Sequence, residues 1–446
     1  MISINTPTRP EKATEAPVLA DLVNRLVDEV RALLIGDERA AGASASSDDA
    51  EYRRRAAALL DGALDRTAAE AVKSGYAVLE GGQEAWVRSQ VLARVCGLGP
   101  LEPLLAEPGV QNIHINGERT WVDFGGGRRE ERAPVAPSEQ ELIGLVRRIA
   151  AANGSGERRF DASAPLLSME LGDGSRLSAV MDVSRRVSVA IRRHPQQSLD
   201  LDDLQGSGMV DGLARGLLTA AVRARLNVLI AGATGAGKTT LLRALADEAI
   251  GAGERLITIE DSLELGLDRG GAHPDCVAMQ ARPANIEGAG EVGLAELVRH
   301  ALRMSPDRVI VGETRGPETI ALLNAMSMGT DGSMATIHAS SSQGAFTKIA
   351  AYTAQAPERL SLEATNLLIA SAVHLVVHIA TDRGRRRVAS IREVVGAEGL
   401  QVISNEVYTR PGQEPGELVV PPACAAVLAE HGFDSSAAIA QAGGVR

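Results

Sequence analysis

The chain has 446 residues, of which 45% are apolar and only 2% aromatic, and its net charge is -11. This length predicts two or three domains. The acidic balance argues against a protein that mainly grips nucleic acid, because such proteins usually present a basic face. The cysteines Cys96, Cys276 and Cys424 are far apart and form no CxxC pair, so neither a zinc site nor a disulfide framework is predicted. The sequence has neither an apolar run of about 18 residues nor a signal-peptide core, so we expect membrane association through partners only.

The first half of the chain is predicted to hold a helical extension and a small α+β domain. Residues 1–17 are polar and contain three prolines, and we expect them to be disordered. Apolar residues recur at helical spacing in four stretches: 18–34, 52–74, 83–95 and 138–152. Alternation around the Asn116-Gly117 turn predicts a β-hairpin, and further strands surround Gly172-Asp173-Gly174 and end at Arg193. The predicted organisation is an N-terminal extension (1–50), an α+β domain (51–195) and an interdomain linker (196–204). A segment of small and charged residues at 36–51 is predicted to link the extension to the α+β domain.

From about residue 205 the pattern changes to alternating strands and helices. The predicted strands are 227–231, 256–260, 309–311 and 334–338, and the predicted helices are 238–250, 294–304 and 317–328. Alternating elements of this length predict an α/β domain over 205–381, with a parallel sheet flanked by helices. The remaining residues, 382–446, carry charge runs and prolines, and no function is predicted for them.

The most specific motif is a phosphate-binding loop between the first predicted strand and the helix that follows it. It fits the pattern GxxxxGK[ST], and the predicted nucleotide-binding residues are Gly232, Ala233, Thr234, Gly235, Ala236, Gly237, Lys238, Thr239 and Thr240. The glycines let the backbone turn tightly, so that successive N–H groups point at phosphate oxygens. Lys238 is predicted to contact the β- and γ-phosphates of ATP, and Thr239 to bind Mg²⁺. The alternative is a glycine-rich turn that binds no nucleotide.

Polar side chains end three of the later predicted strands. Glu260 and Glu313 each follow an apolar run, where a carboxylate can hold Mg²⁺ or orient water. Gly312 stands where a common Walker B strand places an aspartate, and either acid could instead cap a helix. His338 ends the strand 334–338, between a glycine-rich turn and a run of serines that we expect at the phosphate edge. It is predicted either to sense the γ-phosphate or to be an ordinary packing residue.

Taken together, five segments resemble the type II/IV secretion ATPase superfamily. They occur in the order of that family and are the P-loop, ITIEDSLEL, RPANIEG, ALRMSPDRVIVGETRGPET and GTDGSMATIHASS. The sequence is most similar to the tight-adherence (Tad/Flp, CpaF-like) branch, which shares GLGPLEPLL at 97–105 and DGSR at 173–176. The resemblance covers about residues 90–380. It implies a RecA-like ATPase domain behind a smaller α+β domain, in a hexameric ring.

The resemblance also implies roles for individual residues. Glu260 matches the glutamate that activates the attacking water, Glu313 the Walker B glutamate near Mg²⁺, and His338 the histidine near the γ-phosphate. Arg176 and Arg192 match arginines of the first domain that reach the phosphates. A fixed planar cation suits that task, because it can stabilise charge that spreads over phosphoryl oxygens.

Two further arginines are candidates for functional roles, and the chain also departs from the family at several positions. Arg315 matches a family arginine just after Walker B, and Arg186 is a further candidate for a phosphate contact. The chain departs from the family at Met328-Gly329-Thr330, where the nearest branch has TGH, and at Lys348, where an Arg-Leu-Glu run is common. The four-cysteine metal module of the type II secretion branch is absent from the sequence.

The function implied by the resemblance is that of an ATP-hydrolysing, Mg²⁺-dependent motor for pilus assembly or protein secretion. Such a motor is expected to be a homohexamer in the cytoplasm, peripheral to the inner face of the cell membrane, where it pushes on an inner-membrane platform protein. Direct binding of nucleic acid is not expected. The alternatives are a nucleic-acid translocase or conjugation motor, and a nucleotide-dependent scaffold that barely hydrolyses ATP.

Overall fold

The computed structural model describes residues 16–40, 49–75, 78–96, 98–124, 127–152, 159–193, 199–282, 284, 289–382, 384–412 and 414–436. These residues form two compact units, Met1–Arg193 and His194–Arg446. The predicted disordered tail falls outside the described residues up to position 15, as does most of the RPANIEG segment. No helix in the described ranges combines the length and apolar composition needed to cross a bilayer.

The first unit begins with three helices that share one apolar core. They are α1 (Ala16–Ala40), α2 (Asp49–Lys73) and α3 (Gly81–Cys96). Apolar residues such as Leu26, Leu60 and Val91 meet between them and are almost fully buried. The predicted linker at 36–51 is wrong at both ends, because α1 continues to Ala40 and α2 already begins at Asp49. Glu, Arg and Ala at these ends favour a helix more than a short polar segment suggests.

A six-stranded antiparallel sheet and two α-helices complete the first unit. A 3₁₀ turn (Gly99–Leu101) leads into α4 (Glu102–Ala106), and α5 spans Glu139–Ala152. The strands are β1 (Asn112–Asn116), β2 (Arg119–Asp123), β3 (Arg129–Arg132), β4 (Leu166–Glu170), β5 (Arg176–Val180) and β6 (Ser188–Arg192), in the order β3-β2-β1-β6-β5-β4. The hairpin predicted at Asn116-Gly117 joins β1 to β2. One face of the sheet packs against α4 and α5, since Leu105 of α4 and Leu145 of α5 belong to the same buried cluster as Ile113.

The second unit begins with a helix where part of the interdomain linker was predicted. Helix α6 spans Leu201–Gly206, and Asp200 and Asp203 form a capping box at its start. Leu201 and Leu204 are buried in the core of the unit. The sequence did not predict this helix, because the neighbours of these two leucines are polar. The predicted linker is therefore wrong from residue 200 onwards, where the N-cap of α6 lies. Positions 194–198 lie outside the described residues.

The second unit is built on a nine-stranded, largely parallel sheet. Its strands are β7 (Val228–Gly232), β8 (Leu256–Glu260), β9 (Cys276–Gln280), β10 (Arg308–Thr314), β11 (Met334–His338), β12 (Leu375–Asp382), β13 (Arg385–Glu398), β14 (Gln401–Thr409) and β15 (Glu417–Leu418). The order is β15-β14-β13-β12-β7-β11-β10-β8-β9. The strands from β12 to β9 in that order pair in parallel. The α/β class and the parallel-rich sheet predicted from the sequence are confirmed.

Helices cover both faces of this sheet. They are α7 (Gly212–Arg223), α8 (Lys238–Ala249), α9 (Leu294–Ala301, continued by a 3₁₀ turn at Leu302–Met304), α10 (Glu318–Ser327), α11 (Gly344–Gln355), α12 (Leu362–Ala372) and α13 (Ala425–Glu430). Helices α7 and α8 share one buried cluster with Leu256, and α9 to α12 share a second with Ile257. The antiparallel strands β13 to β15 follow residue 382, so much of the C-terminal region extends the same sheet.

Candidate active site

The predicted phosphate-binding loop connects the end of β7 to the start of α8. Gly235 and Gly237 have φ values of +73° and +89°, a region that disfavours side chains. At Gly232 a Cβ would lie 2.9 Å from the carbonyl oxygen of Ile379 on the neighbouring strand. Helix α8 has no side-chain cap at its start. Its first-turn N–H groups and its dipole therefore fit an anion at the loop.

The side chain of Lys238 folds back over this loop. Its Nζ atom lies 3.2 Å from the carbonyl oxygen of Gly232 and 3.1 Å from that of Ala233. The residue is only 7% exposed, so its positive charge is concentrated at the centre of the loop. A third contact, of 3.2 Å, joins Nζ to Nδ1 of His338. The positively charged ammonium group of Lys238 thus lies where phosphate oxygens are expected.

His338 links Lys238 to Glu313 across three adjacent strands. Strand β11 lies between β7 and β10, and His338 is directly opposite Gly232. Its Nε2 atom forms an ion pair or hydrogen bond with Oε1 of Glu313. Because the lysine ammonium can only donate, Nδ1 accepts, and Nε2 carries the proton that is donated to Glu313. The structure therefore brings together three residues that the sequence predicted at one site.

Glu260 has a different environment from Glu313. The residue is 3% exposed, and its Oε2 atom accepts hydrogen bonds from the backbone N–H groups of Glu264 at 2.8 Å and Leu265 at 3.0 Å. Its Oε1 atom is buried without a hydrogen-bond partner among the described residues. Burial raises the pKa of Glu260 to about 7, although the two backbone N–H groups act in the opposite direction. A carboxylate with such a pKa suits proton transfer near neutral pH.

The segments that follow β8 and β10 are tied together beside Glu260. The guanidinium of Arg315 contacts the carboxylate of Asp261. Glu318, in the first turn of α10, accepts hydrogen bonds from the backbone N–H groups of Arg315 at 2.5 Å and Gly316 at 2.7 Å. Arg315 therefore pairs with the residue that follows β8, a contact that the sequence did not indicate.

The oxygen ligands predicted for Mg²⁺ fit that ion. Thr239 is half-buried in the first turn of α8, and Glu313 lies near the end of β10 with 31% of its side chain exposed. Within the described ranges, no group of three or more His, Cys, Asp or Glu residues could hold a metal. Mg²⁺ commonly takes only one or two protein oxygens and completes its shell with phosphate and water. A hydroxyl and a carboxylate beside a phosphate-binding loop agree with that preference.

Two residues that sequence reasoning missed lie against the loop. A Cβ on Gly237 would be 3.1 Å from Cε of Met209 and 3.5 Å from Cδ of Arg386. The backbone N–H of Val388 donates to the carbonyl oxygen of Met209 at 2.7 Å, which fixes Met209 beside β13. The run of arginines at 385–387 was the available signal for a site near the loop.

The glycine-rich turn before His338 lies at the other end of the sheet from the loop, so its predicted position is wrong. The N–H of Ser333 donates to the side chain of Asn227 at 3.0 Å, before the start of β7. The carbonyl oxygen of Gly332 contacts the guanidinium of Arg308 at the start of β10. Strand β11 spans the distance between this turn and His338, so only the serines after the strand share the edge with the histidine.

The predicted arginines Arg176 and Arg192 belong to the first unit. They are directly opposite each other on β5 and β6. Their neighbours Leu177 and Ile191 point into the buried core, so strand alternation puts both arginines on the other face of the sheet. Arg186 lies elsewhere, with its Cδ atom 3.5 Å from the Cβ position of Gly117. Arg176 and Arg192 therefore share one face of the sheet with Glu170, which is directly opposite Arg176 on β4, and Arg186 lies outside these strands.

Comparison with known proteins identifies relatives over about two thirds of the chain. Residues 161–431 match the family model described as type II/IV secretion system protein. A Mycobacterium tuberculosis protein named "Putative conjugal transfer protein" is 38% identical over 313 residues, 68% of this chain and 86% of the relative. The type IV secretion system protein PtlH of Bordetella pertussis is 30% identical over 324 residues, 66% and 93% of the two chains. The solved VirB11 ATPase of the Brucella suis type IV secretion system is 27% identical, with a TM-score of 0.35, over 66% of this chain and 91% of that one.

Proposed function

Because the chain belongs to the type II/IV secretion system protein family, we propose that it is an ATP-hydrolysing motor of a secretion or pilus machine. The observation that carries this proposal is the contact chain from Lys238 through His338 to Glu313, which starts on a phosphate-binding loop. Such a chain connects the place of the terminal phosphate to a carboxylate on a neighbouring strand. It can therefore respond to the difference between ATP and ADP.

Each residue has a defined task in the proposed reaction. Lys238 and the first-turn N–H groups of α8 hold the β- and γ-phosphates, and Thr239 and Glu313 hold Mg²⁺. When bound, Mg²⁺ neutralises charge on the phosphate oxygens. Glu260 accepts the proton of the attacking water through Oε1, while its Oε2 stays on two backbone N–H groups. His338, which accepts from Lys238 and donates to Glu313, connects the place of the γ-phosphate to Glu313.

The finer assignment is to a tight-adherence pilus system. It is supported by the segments GLGPLEPLL and DGSR, which the chain shares with that branch. On this proposal six chains form a ring at the cytoplasmic face of the inner membrane and push on a platform protein. The paired Arg176 and Arg192 of the first unit are proposed to complete the phosphate site during turnover.

A second candidate function is a motor for conjugal DNA transfer. The observation that favours it is a relative, 38% identical, whose name assigns it to conjugal transfer. A motor that acts on DNA directly is expected to hydrolyse ATP faster when single-stranded DNA is present. A motor that pushes on a membrane protein is expected to be indifferent to DNA.

The experiment measures phosphate release by the purified chain with Mg²⁺-ATP, with and without single-stranded DNA. The wild type is expected to turn over, and Lys238→Ala to lose most nucleotide binding and turnover. Light scattering with Mg²⁺ and ATP is expected to detect six-subunit particles. Stimulation by DNA would transfer support to the conjugation motor. A wild type that is folded yet releases no phosphate in any oligomeric state would refute the ATPase proposal.

A further inference from the structure

Strand β10 contains a glycine, Gly312, at a position where the backbone conformation would also allow other residues. Gly312 is buried between β8 and β11, and its φ lies outside the left-handed region that favours glycine. An ideal Cβ at this position would lie 2.9 Å from Cγ of Glu260 and 3.3 Å from its Oε2. The first distance is shorter than real Cβ contacts allow. The side chain of Glu260 thus fills the space that a side chain at position 312 would need.

Neither partner in this contact can easily move away. Cγ is in the middle of the Glu260 side chain, whose Oε2 end is fixed by the N–H groups of Glu264 and Leu265. On the other side, the hydroxyl of Thr336 donates to the carbonyl oxygen of Gly312 at 2.6 Å, and Val311, the residue before Gly312, is paired with Ile259 of β8 and Ala335 of β11. An added methyl group would therefore displace the carboxylate of Glu260.

From this contact we propose that Gly312 is a positioning residue for Glu260. A Walker B strand commonly carries its own aspartate where Gly312 stands. Here the strand lacks a side chain at that point, and a carboxylate from the adjacent strand β8 occupies the space. The glycine thereby sets where Oε1 of Glu260 can meet a water molecule. This inference rests on the proposed hydrolysis of ATP, but the contact itself can be tested without any activity.

The first test is a double-mutant cycle on stability. Gly312→Ala is expected to lower the melting temperature of the nucleotide-free chain by roughly 3–8 °C, the usual scale of overpacking in a domain of this size. In a Glu260→Ala background Cγ is absent, and Gly312→Ala is expected to cost almost nothing. The matched control is Gly396→Ala on β13, where nothing lies within 4 Å of the Cβ position. An equal loss in both backgrounds would overturn the contact.

The second test is the same kind of cycle on turnover. Gly312→Ala is expected to lower kcat roughly tenfold to a hundredfold, because a misplacement of about 1 Å has effects of this size. The Kd for ATP is expected to stay within about twofold, since the phosphate loop is unchanged. In a Glu260→Gln background, Gly312→Ala is expected to have no further effect on kcat.

The outcomes separate this inference from the proposed function. Equal loss of kcat in the wild-type and Glu260→Gln backgrounds, or wild-type kcat in Gly312→Ala, would overturn the positioning role. If the wild type itself has no ATPase activity, the proposed function fails, and the stability cycle still decides whether Gly312 makes room for Glu260.

Discussion

Replacing Glu260 with glutamine is expected to stop turnover and, at alkaline pH, to stabilise the fold. Burial raises the pKa of this carboxyl group from an ordinary 4.5 to about 7. A carboxyl group with a raised pKa binds its proton more tightly in the folded state. The wild type therefore loses stability as the pH rises from about 4.5 through about 7. Glutamine stays neutral, so the variant avoids this loss.

The magnitude follows from the size of the pKa displacement. Each pKa unit corresponds to about 1.4 kcal/mol, so ionising Glu260 costs the folded wild type roughly 3 kcal/mol at pH 8. At pH 5 the same cost is below about 1 kcal/mol, because the folded carboxyl is then mostly protonated. Glutamine keeps an oxygen that can accept from the N–H groups of Glu264 and Leu265. The stabilisation at pH 8 corresponds to an upper limit of roughly 6–12 °C in melting temperature.

The assay pairs thermal melting of the nucleotide-free chain at pH 5 and pH 8 with phosphate release at pH 8. Glu260→Gln is expected to melt higher than the wild type at pH 8, to differ little at pH 5, and to lose at least about 10²-fold in turnover, the scale of a general base. Equal shifts in melting temperature at both pH values would refute the buried-carboxyl reasoning. Wild-type turnover in the variant would refute the role of Glu260 as the base.

Two further predictions concern opposite ends of the sheet. His338→Ala is expected to slow hydrolysis about tenfold, which corresponds to about 1.4 kcal/mol, the scale of one hydrogen bond to a charged group. The affinity for ADP is expected to stay nearly unchanged. The melting temperature of the nucleotide-free chain is also expected to change little, because the side chain is 35% exposed. A large drop in melting temperature with normal turnover would instead make His338 a packing residue. Arg308→Ala removes a buried guanidinium that bonds Glu254 at 2.7 and 2.9 Å, and is expected to cost about 3–5 kcal/mol in urea unfolding. Nucleotide affinity of the folded Arg308 variant should stay normal, since Arg308 begins β10 and Glu313 lies near its other end; a parallel fall in affinity would contradict this.

The strands and helices around the site were predictable because their sequence signals are local. The apolar runs at 256–260 and 334–338 match β8 and β11 residue for residue, and α8 begins at the predicted Lys238. Strong apolar periodicity next to glycine-rich turns leaves little freedom in such segments. No element was predicted for the hairpin of β13 and β14, because its charged residues and the prolines that follow interrupt any clear apolar periodicity.

The arrangement of the site was predictable only in part. Strand ends of a parallel sheet meet at one edge, which was enough to predict that Lys238, Glu313 and His338 would be neighbours. The contact of Gly312 with Glu260 depends on the register of β8 against β10, which sequence spacing does not specify. The turn 329–333 precedes β11, so the same rule puts it at the edge opposite His338, and its misplacement was an error in applying that rule. Contacts between strands distant in sequence therefore account for most of what sequence reasoning missed.

The carboxylates at this edge differ in what surrounds them, and that difference divides their tasks. Asp261 is paired with Arg315, which compensates its charge, and Glu313 accepts a hydrogen bond from Nε2 of His338. Glu260 has two backbone N–H groups on one oxygen and, within the described residues, nothing on the other. A carboxylate with an uncommitted oxygen and a pKa near 7 can take up a proton at neutral pH without first breaking a contact to another side chain. These environments support the proposed assignment of Glu260 as base and Glu313 as metal ligand, independently of the order in which the two residues occur along the chain.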